Sequence, residues 1–209
     1  MGFTLGLTGS IATGKSTVSK MLSDAGIPII DADVSARRAV EKGTDGLASI
    51  VDFFGSDILL PDGQLDRAKL GSIVFMNEDK REQLNRIVHP FVQQDMLNER
   101  KKCFEAGEMM VVFDIPLLFE SELANMVDEV LVVWTTEEVE LERLMARNNL
   151  TKAEALARIQ SQIGISKKKA WADFLIDNNG TKEETKRQVD QLLQELSRRG
   201  IMKRNNGGE

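Results

Sequence analysis

One stretch, from Gly9 to Ser16, has the residue types and spacing to bind phosphate. It reads GSIATGKS and fits the P-loop pattern G-x-x-x-x-G-K-[ST]. Its two glycines let the backbone wrap closely around phosphate oxygens, and the N–H groups of the loop and of the next helix point at the anion. Lys15 then brings positive charge to the β- and γ-phosphates, and the Ser16 hydroxyl reaches Mg²⁺. A glycine-rich turn alone would explain the glycines but not the Lys-Ser pair.

The segments around this loop predict that it joins a strand to a helix. Residues 3–8 are short and apolar enough for a buried first strand, and apolar residues recur at helical spacing from Val18 to Ala25. Strands that alternate with helices predict an α/β fold with a parallel sheet. Five strands are expected, at residues 3–8, 27–30, 109–114 and 129–134 and within residues 173–180. The expected fold is a P-loop NTPase fold, a five-stranded parallel sheet flanked by helices.

Carboxylates follow two of these strands, at the edge where an open α/β sheet binds ligands. Asp31 and Asp33 come at the end of the second strand, and two residues apart on an extended chain they point the same way. One of them is expected to cap the following helix, but a pair at this edge favours a catalytic or metal-binding role. Asp114 ends the third strand, where a Walker-B aspartate would stand.

Residues 34–108 are mainly helical in pattern and too long for a simple crossover between strands. They predict a helical insertion that carries a second substrate. The insertion contains the single histidine, His89, followed by Pro90, which suits the first position of a helix. His89 could equally cap that helix, pack against it or contact a ligand.

Residues 148–170 comprise two short basic helical pieces joined by Gly164. They suit either a lid that closes over phosphates or a surface hairpin. In the helix before them, Arg143 and Arg147 lie one helical step apart on one face, where they are solvated or clamp phosphates. Three capping boxes are predicted, at Thr135/Glu138, Thr151/Glu154 and Thr181/Glu184.

The chain is therefore expected to form a single kinase unit with three parts. The nucleotide-binding core comprises residues 1–33, 109–147 and 171–200, the acceptor-binding insertion residues 34–108, and the lid residues 148–170. Residues 201–209 are charged and rich in Gly and Asn, which predicts a disordered tail.

Composition narrows the function classes. A net charge of −6 gives no general case for nucleic-acid binding, which usually needs a basic face. The lone Cys103 excludes an intrachain disulfide and fits a reducing compartment. No apolar run approaches the roughly 18 residues of a membrane span, and the N-terminus leads straight into the first strand. We expect a soluble, cytoplasmic protein.

Five motifs, in their order along the chain, resemble those of the dephospho-coenzyme A kinase family. They are GSIATGKS at 9–16, DADVSAR at 31–37, HP at 89–90, PLLFE at 116–120 and IDNNG at 176–180. The resemblance spans residues 3 to about 197, nearly the whole chain. The P-loop alone is shared by a very large superfamily, whereas the combination of DAD-x-x-AR, HP and PLLFE is far more specific.

The resemblance implies a core that binds ATP, a helical domain that binds the acceptor, and a lid that closes over both. The implied reaction phosphorylates the ribose 3′-hydroxyl of dephospho-coenzyme A with ATP and Mg²⁺, the last step of coenzyme A synthesis. No nucleic acid, membrane or obligate protein partner is implied.

The resemblance also assigns roles to single residues. Asp33 resembles the general base, Lys15 and Arg147 would assist catalysis, and Asp31 would hold Mg²⁺ through water beside Ser16. The implied ATP-binding residues are Ala12, Thr13, Gly14, Lys15, Ser16, Thr17, Arg147, Asn179 and Gly180. The implied acceptor-binding residues are Thr8, Asp33, Arg37, His89, Pro116 and Leu117. The lid keeps Gln162 but departs from the family pattern because it has little arginine and offers residues 167–169, three lysines, instead.

Two other functions are compatible with the residues. One is a P-loop kinase for another small hydroxylated acceptor, such as shikimate or gluconate, or for a nucleotide. The other is a regulatory nucleotide switch. The guanine-reading Asn-Lys-x-Asp motif is absent from the sequence, and a helical insertion with a lid suits a second substrate better than a protein partner.

Overall fold

The computed structural model describes residues 2–121 and 123–202. They fall into two compact units, which we call the core unit (residues 1–30 and 103–209) and the helical unit (residues 31–102). The separate lid expected at residues 148–170 lies within the core unit and stays a prediction. The predicted disordered tail lies outside the described residues from residue 203 onward.

The core unit is built on a five-stranded, all-parallel sheet, as the sequence predicts. The strands are β1 (Phe3–Gly9), β2 (Ile29–Asp31), β3 (Met110–Asp114), β4 (Glu129–Trp134) and β5 (Phe174–Asp177). Their order across the sheet is β2-β3-β1-β4-β5, so the strand that leads into the P-loop is central. In register, Leu7 of β1 lies beside Asp114 on one side and Leu131 on the other. This register brings the ends of β1 and β3 to the same edge.

The central strands are buried on both faces, which is why β3 and β4 read as nearly continuous apolar runs. Leu5 and Leu7 of β1 are fully buried, and every residue of β3 is buried. Burying a leucine side chain contributes about 1.5–3 kcal/mol. The edge that carries the P-loop is therefore held by a fully packed part of the core.

Helices make up most of the rest of the chain. In chain order they are α1 (Lys15–Asp24), α2 (Ala32–Arg38), α3 (Asp45–Phe54), α4 (Arg67–Phe75), α5 (Glu78–Glu105), α6 (Glu137–Asn148), α7 (Lys152–Gln160), α8 (Ile165–Ala170) and α9 (Lys182–Arg198). Helices α1 and α9 bury their apolar faces in one cluster with β1 and β4, through residues such as Val18, Leu22 and Leu196. Within the described residues, no helix is long and apolar enough to cross a membrane.

Two of the three predicted capping boxes are confirmed. Thr151 with Glu154 and Thr181 with Glu184 cap α7 and α9 reciprocally. The third prediction is wrong by one residue, because β4 ends at Trp134 as predicted but the connection to α6 is one residue longer than the pattern indicates. Thr136 caps α6 by accepting a hydrogen bond from the Val139 N–H, while Thr135 is buried. Similarly, α7 ends at Gln160, and Gly164 begins α8 rather than ending α7.

The helical unit comprises α2 to α5 and the 3₁₀ turn Ser56–Ile58, with Ile50, Ile58 and Met96 at the centre of its core. The prediction that Pro90 begins a helix is wrong. Pro90 lies inside α5, which runs for 28 residues. A proline there removes one backbone hydrogen bond, but the many remaining turns of so long a helix sustain it.

Candidate active site

The P-loop backbone is confined at both of its glycines. A Cβ at Gly9 would lie 2.6 Å from the Thr13 hydroxyl oxygen and 2.8 Å from the Val133 carbonyl oxygen. Gly14 has a φ of +91°, and a Cβ there would lie 2.0 Å from Nδ2 of Asn178. Between them Ala12 has a φ of 62°, a left-handed conformation that costs an L-residue about 1–2 kcal/mol. The surrounding structure must therefore hold the loop in this shape.

A buried chain of hydrogen bonds supplies that support. The Thr13 hydroxyl donates to the Ser10 carbonyl at 2.9 Å, and Nδ2 of Asn178 donates to the Thr13 carbonyl at 2.8 Å. The Thr185 hydroxyl in α9 then donates to Oδ1 of Asn178 at 2.7 Å. Asn178 stands inside the IDNNG motif, but no local pattern distinguishes it from its neighbours. Its partner Thr13 is 165 residues away along the chain, beyond the reach of any local pattern.

Helix α1 begins directly after the loop and has no side-chain cap, since Gly14 is its N-cap. The N–H groups of Lys15 and Ser16 at the start of the helix are therefore available to an anion, whereas those of Thr17 and Val18 donate to the Gly14 carbonyl. Lys15 opens the helix, and its ammonium forms an ion pair with the carboxylate of Asp114 at the end of β3. Asp114 is buried, so this pair fixes the lysine side chain at the edge of the sheet where the loop lies.

The loop after β3 is connected to the end of β1. Thr8 is fully buried, and its hydroxyl donates to the Pro116 carbonyl at 3.1 Å. Thr8 thus orients the PLLFE segment, in which Leu118 is buried and Leu117 is 40% exposed. Of these residues, Leu117 offers an apolar surface to a ligand.

Asn179 and Gly180 border an open cavity of about 460 Å³, within the size range of small-molecule sites. Its lining residues are Asp177, Asn179, Gly180, Glu184, Arg187, Gln188 and Gln191. Oδ1 of Asn179 accepts a hydrogen bond from the Thr136 N–H at 2.8 Å, which joins the segments that follow β4 and β5. Arg147, in the last turn of α6, is exposed, and its Nε donates to Asn148 at 2.9 Å.

In the helical unit, the two aspartates of the DAD motif differ in conformation and in use. Asp31 is the N-cap of α2, and its Oδ1 accepts from the N–H groups of Asp33 at 2.7 Å and Val34 at 3.2 Å. The expectation that both lie on extended chain is wrong, because β2 ends at Asp31 and Asp33 is already helical. Capping by one of the pair is confirmed. The Asp33 carboxylate is exposed and is not needed for the cap.

The other two predicted residues of this unit also lie on helices. Arg37 stands in the last turn of α2, exposed, and its carbonyl accepts from the guanidinium of Arg67 at 3.4 Å. His89 is half-buried within α5. Near them, Arg38 donates twice to Oδ2 of Asp95, at 2.7 and 3.1 Å. This hydrogen bonding raises the pKa of Arg38 and holds α2 to α5.

The donor set fits Mg²⁺ better than a metal that needs a protein cage. Across residues 2–121 and 123–202, no three His, Cys, Asp or Glu side chains form a metal-binding group. Mg²⁺ keeps several waters and uses one or two carboxylates together with substrate phosphates. The Ser16 hydroxyl and single carboxylates such as Asp31 and Asp114 are ligands that match this coordination preference of Mg²⁺. The cap uses only Oδ1 of Asp31.

A confined glycine loop between a central parallel strand and an uncapped helix, with Lys15 at its end, defines a P-loop phosphate-binding protein. Comparison with known proteins narrows this class. The sequence model of the family described as dephospho-CoA kinase matches residues 3–184. The dephospho-CoA kinase of Listeria innocua is 65% identical over 189 residues, which are 90% of this chain and 94% of that protein. The enzyme of Geobacillus kaustophilus is 52% identical, over 93% of this chain and 97% of its own.

Solved structures agree with the sequence comparisons. The structure of dephospho-CoA kinase from Campylobacter jejuni has a TM-score of 0.75 and 30% identity, covering 96% of this chain and 100% of that one. The chain therefore belongs to the dephospho-CoA kinase family, P-loop transferases that phosphorylate dephospho-CoA with ATP in coenzyme A biosynthesis. This membership decides against a kinase for shikimate or gluconate and against a nucleotide switch.

Proposed function

We propose that the γ-phosphoryl group of ATP is transferred to the 3′-hydroxyl of the dephospho-CoA ribose, with Asp33 as general base and Mg²⁺ as cofactor. The observation that carries the phosphate-binding half of this proposal is the Lys15–Asp114 ion pair beside the uncapped start of α1. An ammonium fixed there, together with free N–H groups, suits the charge that gathers on the γ-phosphoryl group in the transition state.

The phosphates of ATP would lie along Ala12–Thr17, with the backbone N–H groups around their oxygens and the Lys15 ammonium on the β- and γ-phosphates. Asn179 and Gly180 would lie against the adenine, a role supported by the cavity beside them. Arg147 would reach the phosphates from α6, since its guanidinium is exposed.

Asp33 is proposed as the base because its carboxylate is exposed and Asp31 alone makes the helix cap. It would accept the proton of the ribose hydroxyl and aim the oxygen in line with the γ-phosphate. Thr8, Arg37, His89, Pro116 and Leu117 are proposed to bind or shape the acceptor site. For the buried Thr8 this role would be indirect, through its hydrogen bond to the Pro116 carbonyl.

Mg²⁺ would be held by the Ser16 hydroxyl and, through water, by Asp31, with Asp114 as the alternative carboxylate. When bound, it would neutralise charge on the β- and γ-phosphates. We further propose that residues 34–108 bind the acceptor, that residues 148–170 act as a lid, and that the enzyme works in the cytoplasm without nucleic-acid or obligate protein partners.

The proposal is tested by measuring ADP release with ATP, Mg²⁺ and a panel of acceptors: dephospho-CoA, adenosine, shikimate and gluconate. Of these acceptors, we expect only dephospho-CoA to be turned over. Phosphorus NMR should show that the new phosphate of the product is a 3′-monoester. Equal turnover with another acceptor, or a phosphate on the 2′-hydroxyl, would contradict it. Replacing Mg²⁺ with excess chelator should abolish turnover.

A further inference from the structure

Lys168 is a lysine with no exposed side-chain surface, in helix α8. Lysines are almost never fully buried unless their charge is paired and hydrogen-bonded. Here the ammonium lies 2.7 Å from Oε1 of Glu120 and donates to the carbonyl oxygen of Gly9 at 3.1 Å. Gly9 is the first residue of the P-loop, 159 positions away in sequence. The buried charge is thus attached to the loop itself.

The connection between α7 and α8 makes a second contact with the loop. Oε1 of Gln162 accepts a hydrogen bond from the Ile11 N–H at 3.0 Å. The Ile163 N–H donates to the same Glu120 oxygen that meets Lys168, also at 3.0 Å. One carbonyl and one N–H of the loop are therefore held by side chains from a single segment, residues 162–168.

Two features make this arrangement a means of shaping the loop rather than only of filling the core. The Ala12 conformation is strained, so the loop needs outside contacts to keep its shape. A carbonyl turned toward the phosphates would repel them. The Lys168 ammonium binds the Gly9 carbonyl and so keeps that oxygen engaged away from an incoming anion.

We infer that Lys168 is a positioning residue of the nucleotide site, which holds the P-loop backbone in its ATP-binding shape through the Gly9 carbonyl. Glu120 compensates its charge and joins it to the Ile163 N–H, and Gln162 holds the loop one step further along. This role differs from that of a lid cation that contacts phosphate. Of the three consecutive lysines, only Lys167 is exposed, and Nζ of Lys169 lies 3.4 Å from the centre of the Trp134 ring.

Glu140 of α6 completes the electrostatic surroundings. It is fully buried, and burial raises its pKa to about 7, against the opposing effects of the Ser10 hydroxyl and the Lys168 charge. At a pH below about 7 Glu140 is neutral, and the Lys168 ammonium is then paired with the Glu120 carboxylate alone.

The test compares three variants of the full chain: Lys168→Met, Lys168→Met/Glu120→Gln, and the control Lys20→Met, which removes an exposed lysine of α1. Melting temperature and the dissociation constants of ATP and dephospho-CoA are measured for each. Lys168→Met should lower the melting temperature, because it leaves Glu120 without its partner. It should also weaken ATP binding at least tenfold while dephospho-CoA binding stays within twofold.

The double variant separates positioning from stability. Removing both charges should restore most of the melting temperature, but ATP binding should stay weak, because the Gly9 carbonyl still lacks its donor. The inference is overturned if ATP affinity recovers together with the melting temperature, or if ATP and dephospho-CoA affinities fall equally. If Lys168→Met alone fails to fold, the double variant still decides between these outcomes. Lys20→Met should match the wild type.

Discussion

Asp31 and Asp33 are two positions apart, yet the backbone conformation gives their carboxylates different roles. Asp31 uses Oδ1 to cap α2, whereas the Asp33 carboxylate is exposed. Asparagine is nearly isosteric with aspartate and is also a good N-cap, but it cannot take a proton. Amide substitutions at the two positions can therefore separate proton transfer from helix capping.

We expect Asp33→Asn to lower kcat by about 10²–10⁴-fold, the usual contribution of a positioned base, with ATP affinity within a few-fold of the wild type. Its melting temperature should not change, since Asp31 makes the cap. Asp31→Asn should instead raise the Mg²⁺ concentration needed for half-maximal rate. An Asp33→Asn enzyme with normal kcat would move the base elsewhere, with Asp114 as the next candidate.

Lys15 has a structural partner that its role in the motif does not reveal. Lys15→Ala should cut turnover by orders of magnitude, because the transition-state charge loses its counter-ion. It should also destabilise the fold by about 1–3 kcal/mol, since Asp114 is left buried without its ion pair. Lys15→Ala/Asp114→Asn should regain stability but not turnover. Denaturant unfolding and steady-state kinetics measure both, and near-normal turnover in either variant would refute the role of Lys15.

Glu140 makes stability depend on pH. Its folded pKa of about 7 exceeds the ordinary 4.5, so the folded protein binds the proton more tightly than the unfolded chain. Stability therefore falls as pH rises from about 4.5 to 7 and levels off above 7. The Glu140→Gln variant has no titrating carboxyl at this position, so it lacks this pH-dependent contribution to stability. The unfolding free energy of Glu140→Gln minus that of the wild type should therefore be about 2 kcal/mol larger at pH 8 than at pH 5.5. Glu142→Gln, which changes an exposed glutamate of the same helix, is the control. If the unfolding free energies of the wild type and Glu140→Gln depend on pH in parallel, the Glu140 pKa is not raised.

At the scale of elements, the P-loop depends on space as well as on backbone freedom. Gly14 and Gly107 both have a φ of +91°, but a Cβ would lie 2.0 Å from Asn178 Nδ2 at Gly14 and meet nothing within 4 Å at Gly107. Both alanine variants should lose about 1–2 kcal/mol of stability from backbone strain. Only Gly14→Ala should also lose turnover, by at least 10²-fold, because it displaces Asn178 from the Thr13 carbonyl. Equal kinetics for the two variants would disprove this spatial requirement.

The elements predicted correctly are those whose cause is local. Short apolar segments predicted the five strands, with the second placed at residues 27–30 rather than Ile29–Asp31, and Thr-x-x-Glu spacing predicted the caps of α7 and α9. The errors at Pro90 and Thr135 arose where a long helix or a longer connection overrode a local preference. Asn178, Lys168 and Gln162 could not be found in this way, because their partners in the loop lie more than 150 residues away.

At the scale of the whole molecule, the proposed lid would make the α7–α8 segment the connection between nucleotide binding and the exclusion of water. Phosphoryl transfer must keep water from the γ-phosphate, or ATP is lost to hydrolysis. The C-terminal part of the proposed lid is already attached to the P-loop through Gln162 and Lys168. Helix α7, in contrast, is mostly exposed, with Ala155 as its buried residue. If the proposed lid closes, we therefore expect α7 to move while residues 162–168 stay attached to the P-loop.

This division predicts an uneven pattern of amide hydrogen exchange. With a non-hydrolysable ATP analogue and dephospho-CoA together, exchange should slow at least several-fold across residues 150–160. Across residues 162–168, protection should already be high in the free enzyme and change little. In the proposed acceptor-binding insertion, residues 34–108, exchange should already slow when dephospho-CoA is added without the ATP analogue, which serves as the internal control. Unchanged exchange at residues 150–160 in the ternary complex would refute the lid, and large changes at 162–168 would show that this end is not fixed.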